Sequence, residues 1–156
     1  MYSSITYVWV VSVRLAIVPG NAGHLFYVLG AFPGGTHPDP VDGRSALKRS
    51  CDGGTTWSYV ASTQEAWSLA LWKARAGNTY PAIYFSGYVN GNNTPGVFRS
   101  DDATTNCASA LTWTRLSSAP NGTLDLPNAM AASWEVYGKV FLGMSSTGYI
   151  YGRLAQ

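Results

Sequence analysis

Charge is scarce in this 156-residue chain: eight acidic and ten basic side chains make up 12% of it and leave a formal net charge of +2. The share is about half that of an ordinary soluble domain. Charges so few and so mixed cannot build the dense cationic surface that nucleic acid or another acidic polymer requires. Disorder is excluded as well, because disordered chains are charged and poor in aromatics, and aromatics are 13% here. Histidine is limited to His24 and His37, and cysteine to Cys51 and Cys107. Neither histidine stands at ligand spacing from a cysteine or carboxylate, so the sequence predicts no metal site. No phosphate-cradling glycine loop or Ser-His-Asp pattern points to a cofactor or to nucleophilic chemistry. Long apolar runs are missing too. The stretch Tyr7 to Val18 is interrupted by Ser12 and Arg14, too short and polar to span a bilayer, and it lacks a signal peptide's basic start.

Short apolar segments separated by turn residues are plentiful. Ile5, Tyr7, Trp9 and Val11 alternate with more polar neighbours as a half-buried strand does, and His24–Gly30, Pro81–Val89, Gly96–Arg99, Leu111–Leu116, Lys139–Gly143 and Gly148–Tyr151 are rich in Tyr, Val, Ile and Phe. Gly, Pro, Asn and Asp clusters divide them, which predicts an all-β fold. Residues 64–77 are ambiguous: Trp67, Leu71 and Ala74 fall at helical spacing, whereas Trp67, Leu69 and Leu71 alternate as a strand. The segment from Phe32 to Arg44 carries Pro33, Pro38 and Pro40 and predicts a long loop at 32–44, since proline removes ladder donors.

The strongest internal signal is a repeat. Leu47-Lys48-Arg49-Ser50-Cys51-Asp52-Gly53-Gly54-Thr55-Thr56-Trp57 is answered by Val97-Phe98-Arg99-Ser100-Asp101-Asp102 and then Leu111-Thr112-Trp113. The second copy carries extra residues from Ala103 to Ala110. Each copy predicts strand, Ser-x-Asp turn, strand, near 47–60 and 97–116. A short Asp side chain accepts backbone N–H groups inside a tight hairpin, Gly54 permits positive φ, and a tryptophan covers the turn. The complete pattern Ser50, Asp52, Gly54, Thr56, Trp57, with Ser100, Asp102 and Trp113 in the partial copy, resembles the Asp-box, or BNR repeat, of sialidase-type β-propellers. The implied role is to hold the fold.

Further segments narrow the resemblance: Arg14-Leu15-Ala16-Ile17-Val18-Pro19-Gly20, then Trp72 to Tyr84, Gly87-Tyr88-Val89-Asn90-Gly91, Tyr137 to Gly143 and Gly148-Tyr149-Ile150-Tyr151-Gly152. In that order, from about Arg14 to Gly152, they resemble the C-terminal part of family 74 glycoside hydrolases, the xyloglucanases. The resemblance implies four-stranded antiparallel blades, a secreted protein, a plant-type β-glucan or xyloglucan as partner, and inverting hydrolysis by an aspartate pair that stands apart to admit a water. It also implies that this pair lies upstream of the matched region, so no catalytic residue is assigned here, and that the Ser-x-Asp turns lie away from the catalytic mouth. At about 40–50 residues per blade, the single region 1–156 supplies roughly three to three and a half blades, short of the roughly four to eight that close a propeller. Missing propeller sequence, or self-association through open sheet edges, is then the expected partner. The rival expectation is a carbohydrate-binding or self-assembling structural β-module without enzymatic activity.

Candidate glycan contacts are Trp67, Trp72, Tyr80, Tyr88 and Trp134, because aromatic faces suit the apolar faces of sugar rings and equally suit a core. Asp39, Asp42, Asp125, Glu65 and Glu135 are the carboxylates outside the turns, with no paired context. Cys51 and Cys107 sit in repeat-equivalent turns; a disulfide and two free thiols both remain open. Asn92 and Asn121 fit the N-glycosylation tripeptide.

Overall fold

Period-two alternation becomes strand throughout the computed structural model, which describes residues 9–10, 14–28, 31–32, 47–91, 94–118, 127–144 and 148–153. The described residues contain thirteen strands and no helix. Three of the four sheets are consecutive antiparallel meanders. The first blade runs β2 (Arg14–Ile17), β3 (Leu25–Val28), β5 (Lys48–Ser50), β6 (Ser58–Tyr59). The second runs β7 (Thr63–Trp72), β8 (Ala82–Val89), β9 (Gly96–Ser100), β10 (Thr114–Ser117). The third has β11 (Pro127–Ala132), β12 (Val140–Met144) and β13 (Tyr149–Gly152). Outside these blades, β1 (Trp9–Val10) pairs with β4 (Ala31–Phe32). Among the described residues the blades do not close on themselves.

The ambiguity at 64–77 resolves as the ten-residue strand β7. The second blade is sandwiched, so β7 is buried on both faces and its sequence loses the clean alternation of a surface strand. Leu69 and Leu71 join Val18, Phe26, Val28 and Leu47 of the first blade, while Ala70 joins Val140 and Leu142 of the third. Phe85 stacks on Phe98 at 5.2 Å and meets Trp113 edge-on at 4.6 Å. Phe85 and Phe98, both fully buried, each contribute about 1.5–3 kcal/mol through apolar transfer. Register shifts interrupt β7 between Thr63 and Glu65 and between Ala66 and Ser68. Opposite them Gly87 adopts φ +147°, and a Cβ there would collide with the Glu65 carbonyl. Only glycine fits so close a crossing.

The outer strands differ in their protection. β6 has two residues, and β10 carries Arg115 at a register shift; short length, charge and bulges all discourage further pairing. β13 has neither charge nor bulge and is exposed along its length. The two ends of the three-blade stack are apolar as well. Leu15, Ile17 and Tyr59 are exposed on the first blade, with the Lys48 ammonium 5.4 Å from the Tyr59 ring. Phe141, Tyr149 and Tyr151 are exposed on the third, with Lys139 5.2 Å from the Phe141 ring. No helix among the described residues is long and apolar enough to cross a membrane.

Candidate functional site

Meander topology puts the connections β2–β3, β5–β6, β7–β8, β9–β10 and β11–β12 on one rim and the others on the opposite rim. Both Ser-x-Asp turns join the third and fourth strands of their blades, so they share the first rim. In the β5–β6 turn, Ser50 Oγ donates to Asp52 Oδ1 at 2.8 Å and accepts the Gly54 N–H at 2.9 Å. Asp52 Oδ1 accepts the Thr56 N–H at 2.9 Å, and its other oxygen accepts the Thr56 hydroxyl at 2.5 Å. The Thr56 hydroxyl and N–H, followed by Ser50, hold the Asp52 carboxyl down at about 2. Gly54 sits at φ +91° and accepts the Trp57 indole N–H at 3.0 Å.

The β9–β10 turn reaches the same bonding by a longer path. Ser100 donates to Asp102 Oδ1, and Thr112, ten positions on, donates its N–H at 2.8 Å and its hydroxyl at 2.5 Å to the other oxygen. Burial pushes the Asp102 carboxyl up, but the Ser100 and Thr112 bonds outweigh it and leave the group below its ordinary value. The insertion therefore loops out without replacing the partner threonine. Trp113 departs from Trp57: its indole donates to Ser62 Oγ at 2.9 Å, and its ring joins the core.

Two arginines that sequence reasoning passed over occupy the same place in each repeat, one residue before the turn serine. Arg49 is buried. Its Nη2 donates to the Tyr80 hydroxyl at 3.1 Å and to the Thr104 carbonyl, and its Nη1 to the Asn106 carbonyl at 3.2 Å. Arg99 lies 5.0 Å from the Tyr137 ring and pairs with Asp101 at 2.8 Å. Each arginine thus reaches the tyrosine that follows the first strand of the next blade. Tyr137 also donates to Asp101 at 2.7 Å; burial, then that bond and the Asp101 charge, push its hydroxyl up to about 12. The signal was available: Arg49 and Arg99 align in the repeat, and a basic residue at matched positions implies a matched partner.

Cys51 and Cys107 form a disulfide between the two turns, with Cα atoms 6.2 Å apart. Beside it, His24 Nδ1 lies 3.5 Å from Cys51 Sγ and 3.2 Å from the Tyr80 hydroxyl. Burial, then the Arg49 charge, lowers the His24 pKa. His24 thus lies beside both cysteines in space, although it stands at no ligand spacing from them in sequence. Strands β3 and β5 bring together residues 27 positions apart, which sequence spacing cannot reveal.

The five aromatic candidates separate by exposure. Trp67, Tyr80 and Tyr88 are 5%, 6% and 8% exposed, whereas Trp72 and Trp134 are 41% and 67% exposed. On the turn rim, Trp72 ends β7 and Trp134 lies in the β11–β12 connection, and the Lys73 N–H bonds the Ser133 carbonyl at 3.4 Å between them. Toward the opposite rim, the Trp67 indole donates to the fully buried Glu65 carboxylate at 2.5 Å and meets Tyr88 edge-on at 5.6 Å. Burial, then the Glu65 charge, raises the Tyr88 hydroxyl. Glu135 lies in the β11–β12 connection, so the described glutamates stand on different rims. Between the β7–β8 connection and the second turn lies a polar cavity of about 690 Å³ lined by Arg75, Asn78, Tyr80, Arg99, Asp101 and Thr104 among others. Its cations and carboxylates balance, which suits a neutral polar ligand. Asp39, Asp42, Asp125, His37, Asn92, Asn121 and most of the 32–44 loop lie outside the described residues.

No protein-family model matches the chain. Over 143 residues it is 32% identical to xyloglucanase Xgh74A of Acetivibrio thermocellus, an alignment covering 92% of this chain and 14% of that protein. Over 137 residues it is 28% identical to a xyloglucanase of a Paenibacillus species, covering 88% of this chain and 12% of the relative. A GH74 enzyme from Niastella koreensis is structurally similar with a TM-score of 0.64 and 27% identity, across 88% of this chain and 17% of the enzyme. The chain therefore spans only a small part of the length of the relatives it matches.

Proposed function

The chain is related to a segment of family 74 glycoside hydrolases, and from that premise we propose that it is a C-terminal propeller portion of a xyloglucan-active, inverting hydrolase. It contributes blades and glycan-facing surface, without the reacting carboxylates. The observation that carries this reading is similarity to xyloglucanases along 88–92% of the chain. The chemistry of the described carboxylates supports the non-catalytic part. Inverting hydrolysis needs an acid and a base about 6.5–9.5 Å apart across one scissile bond. Asp52 and Asp102 are committed to their turns, Asp101 is bonded by Arg99 and Tyr137, and Glu65 and Glu135 stand on different rims. In this reading the Ser-x-Asp turns are structural Asp-boxes of a single partial propeller over 1–156, the protein is extracellular, and Trp72 and Trp134, exposed on the turn rim, are glycan contacts outside the catalytic mouth. Further blades of the full hydrolase cover the apolar ends.

The unprotected β13 edge favours a second reading, a binding or structural β-module that assembles with itself. Two measurements on the purified chain separate these readings. Affinity electrophoresis through xyloglucan is expected to retard the chain, with less retardation after Trp134→Ala or Trp72→Ala, and reducing-end release is expected to be absent. Turnover that disappears on Glu65→Gln or Glu135→Gln would overturn the non-catalytic role. A discrete higher mass by light scattering, with no retardation in xyloglucan, would favour the structural module.

A further inference from the structure

We infer that the junction of His24, Cys51 and Cys107 is a two-state site: a disulfide when oxidised, and a binding site for one zinc-like soft cation when reduced. The ligand atoms of these three residues all lie within 4.8 Å of one another. A tetrahedral zinc site has metal–nitrogen and metal–sulfur bonds of about 2.0 and 2.3 Å, which puts nitrogen and sulfur about 3.5 Å apart. His24 Nδ1 and Cys51 Sγ already stand at 3.5 Å. Cys107 approaches from the neighbouring turn, and the 6.2 Å Cα separation leaves room for its sulfur to withdraw from bonding distance to the tetrahedral edge, about 3.7 Å. Two soft sulfurs and an imidazole are the donor set that zinc selects over magnesium or calcium.

The surroundings fit this exchange. A thiol or phosphine reductant supplies two electrons, and two protons from solvent complete the conversion of the Sγ–Sγ bond into two thiols. Binding of a dication then releases those protons, leaving two thiolates that neutralise the metal charge. The Arg49 guanidinium, which bonds Tyr80 and the Thr104 and Asn106 carbonyls, is the nearby cation. It opposes a bare dication but favours the thiolates. Tyr80 accepts from Arg49 and can donate to His24 Nδ1. When that nitrogen binds metal, the freed O–H can donate to a water filling the fourth position. Arg49 also holds both turns together without the covalent bond, so the ligands need not separate on reduction.

The test is a cobalt(II) titration of the reduced, oxygen-protected 156-residue chain, with zinc as competitor and far-UV circular dichroism recorded in parallel. The expected result is thiolate-to-cobalt charge transfer and tetrahedral d–d bands that saturate at one metal per chain and vanish on adding zinc. The oxidised chain shows neither. Cys107→Ser abolishes the tetrahedral thiolate spectrum, and His24→Ala weakens binding by at least about tenfold. If reduction unfolds the chain, recovery of the β spectrum on adding one equivalent of zinc supports the site, since metal binding and folding are then coupled. Absence of the bands in folded, reduced protein overturns the inference, as does failure of zinc to restore an unfolded one. Equal cobalt affinity in His24→Ala also overturns it.

Discussion

Replacing both Cys51 and Cys107 with serine tests how much the covalent link between the first two blades stabilises the fold. The bridge joins residues 56 positions apart, and the chain it closes contains β6, β7, β8 and β9. Closing a loop of that size restricts the denatured ensemble by about 4 kcal/mol at 25 °C in the chain-entropy account. The native state loses little in comparison. Arg49 still ties the first turn's strand to the Thr104 and Asn106 carbonyls, and Gly53 N–H still bonds the Gly23 carbonyl at 2.9 Å. The expected outcome is therefore a loss of about 4 kcal/mol arising mainly on the unfolded side. Urea unfolding monitored by tryptophan fluorescence and circular dichroism measures it. Because the released chain expands further, the denaturant slope should rise as the midpoint falls. A loss below about 1 kcal/mol with an unchanged slope would refute the argument that the bridge acts by restricting the unfolded chain.

Two further outcomes follow from buried polar groups. Ser68 and Ser86 share a 2.6 Å hydroxyl contact in the fully buried centre of the second blade. Ser68→Ala alone should cost about 1–3 kcal/mol by stranding its partner, with the added Ser86→Ala recovering part of the loss in a double-mutant cycle. The Asp102 carboxyl titrates below its unfolded value, so its stabilising contribution is present above the unfolded pKa and is lost as pH falls through the folded one. Asp102→Asn should therefore flatten the acid limb of Tm against pH, measured by differential scanning calorimetry; an unchanged limb would contradict the assigned bonding.

Much of the architecture was legible because its determinants are local. Alternation over Leu25–Val28 and Gly96–Ser100 and the turn chemistry at Ser50 and Ser100 need no distant partner. Repeat spacing then indicated the blade length. Residues 63–72 were harder, since a strand buried between two blades has apolar residues on both faces and can mimic a helix. Among the candidate contacts, Trp67 and Trp134 are the same side chain in sequence, but one closes over Glu65 and the other projects from a connection; only tertiary placement distinguishes them. Arg49 was hidden for a similar reason. Its charge suggests solvent, whereas its partners come from the following blade. The disulfide depended on how far the Ala103–Ala110 insertion carried Cys107 across the rim, a distance no spacing encodes.

The unlike apolar ends of the three-blade stack also have a consequence for symmetry. One end presents Leu15, Ile17 and Tyr59, the other Phe141, Tyr149 and Tyr151. A contact between such different surfaces is heterologous: copies joined head to tail close into a ring when their rotation divides a full turn and extend as a filament when it does not. If further blades of one polypeptide occupy both ends, propagation stops at a single molecule. Capping the ends is therefore a constraint on assembly as well as on stability.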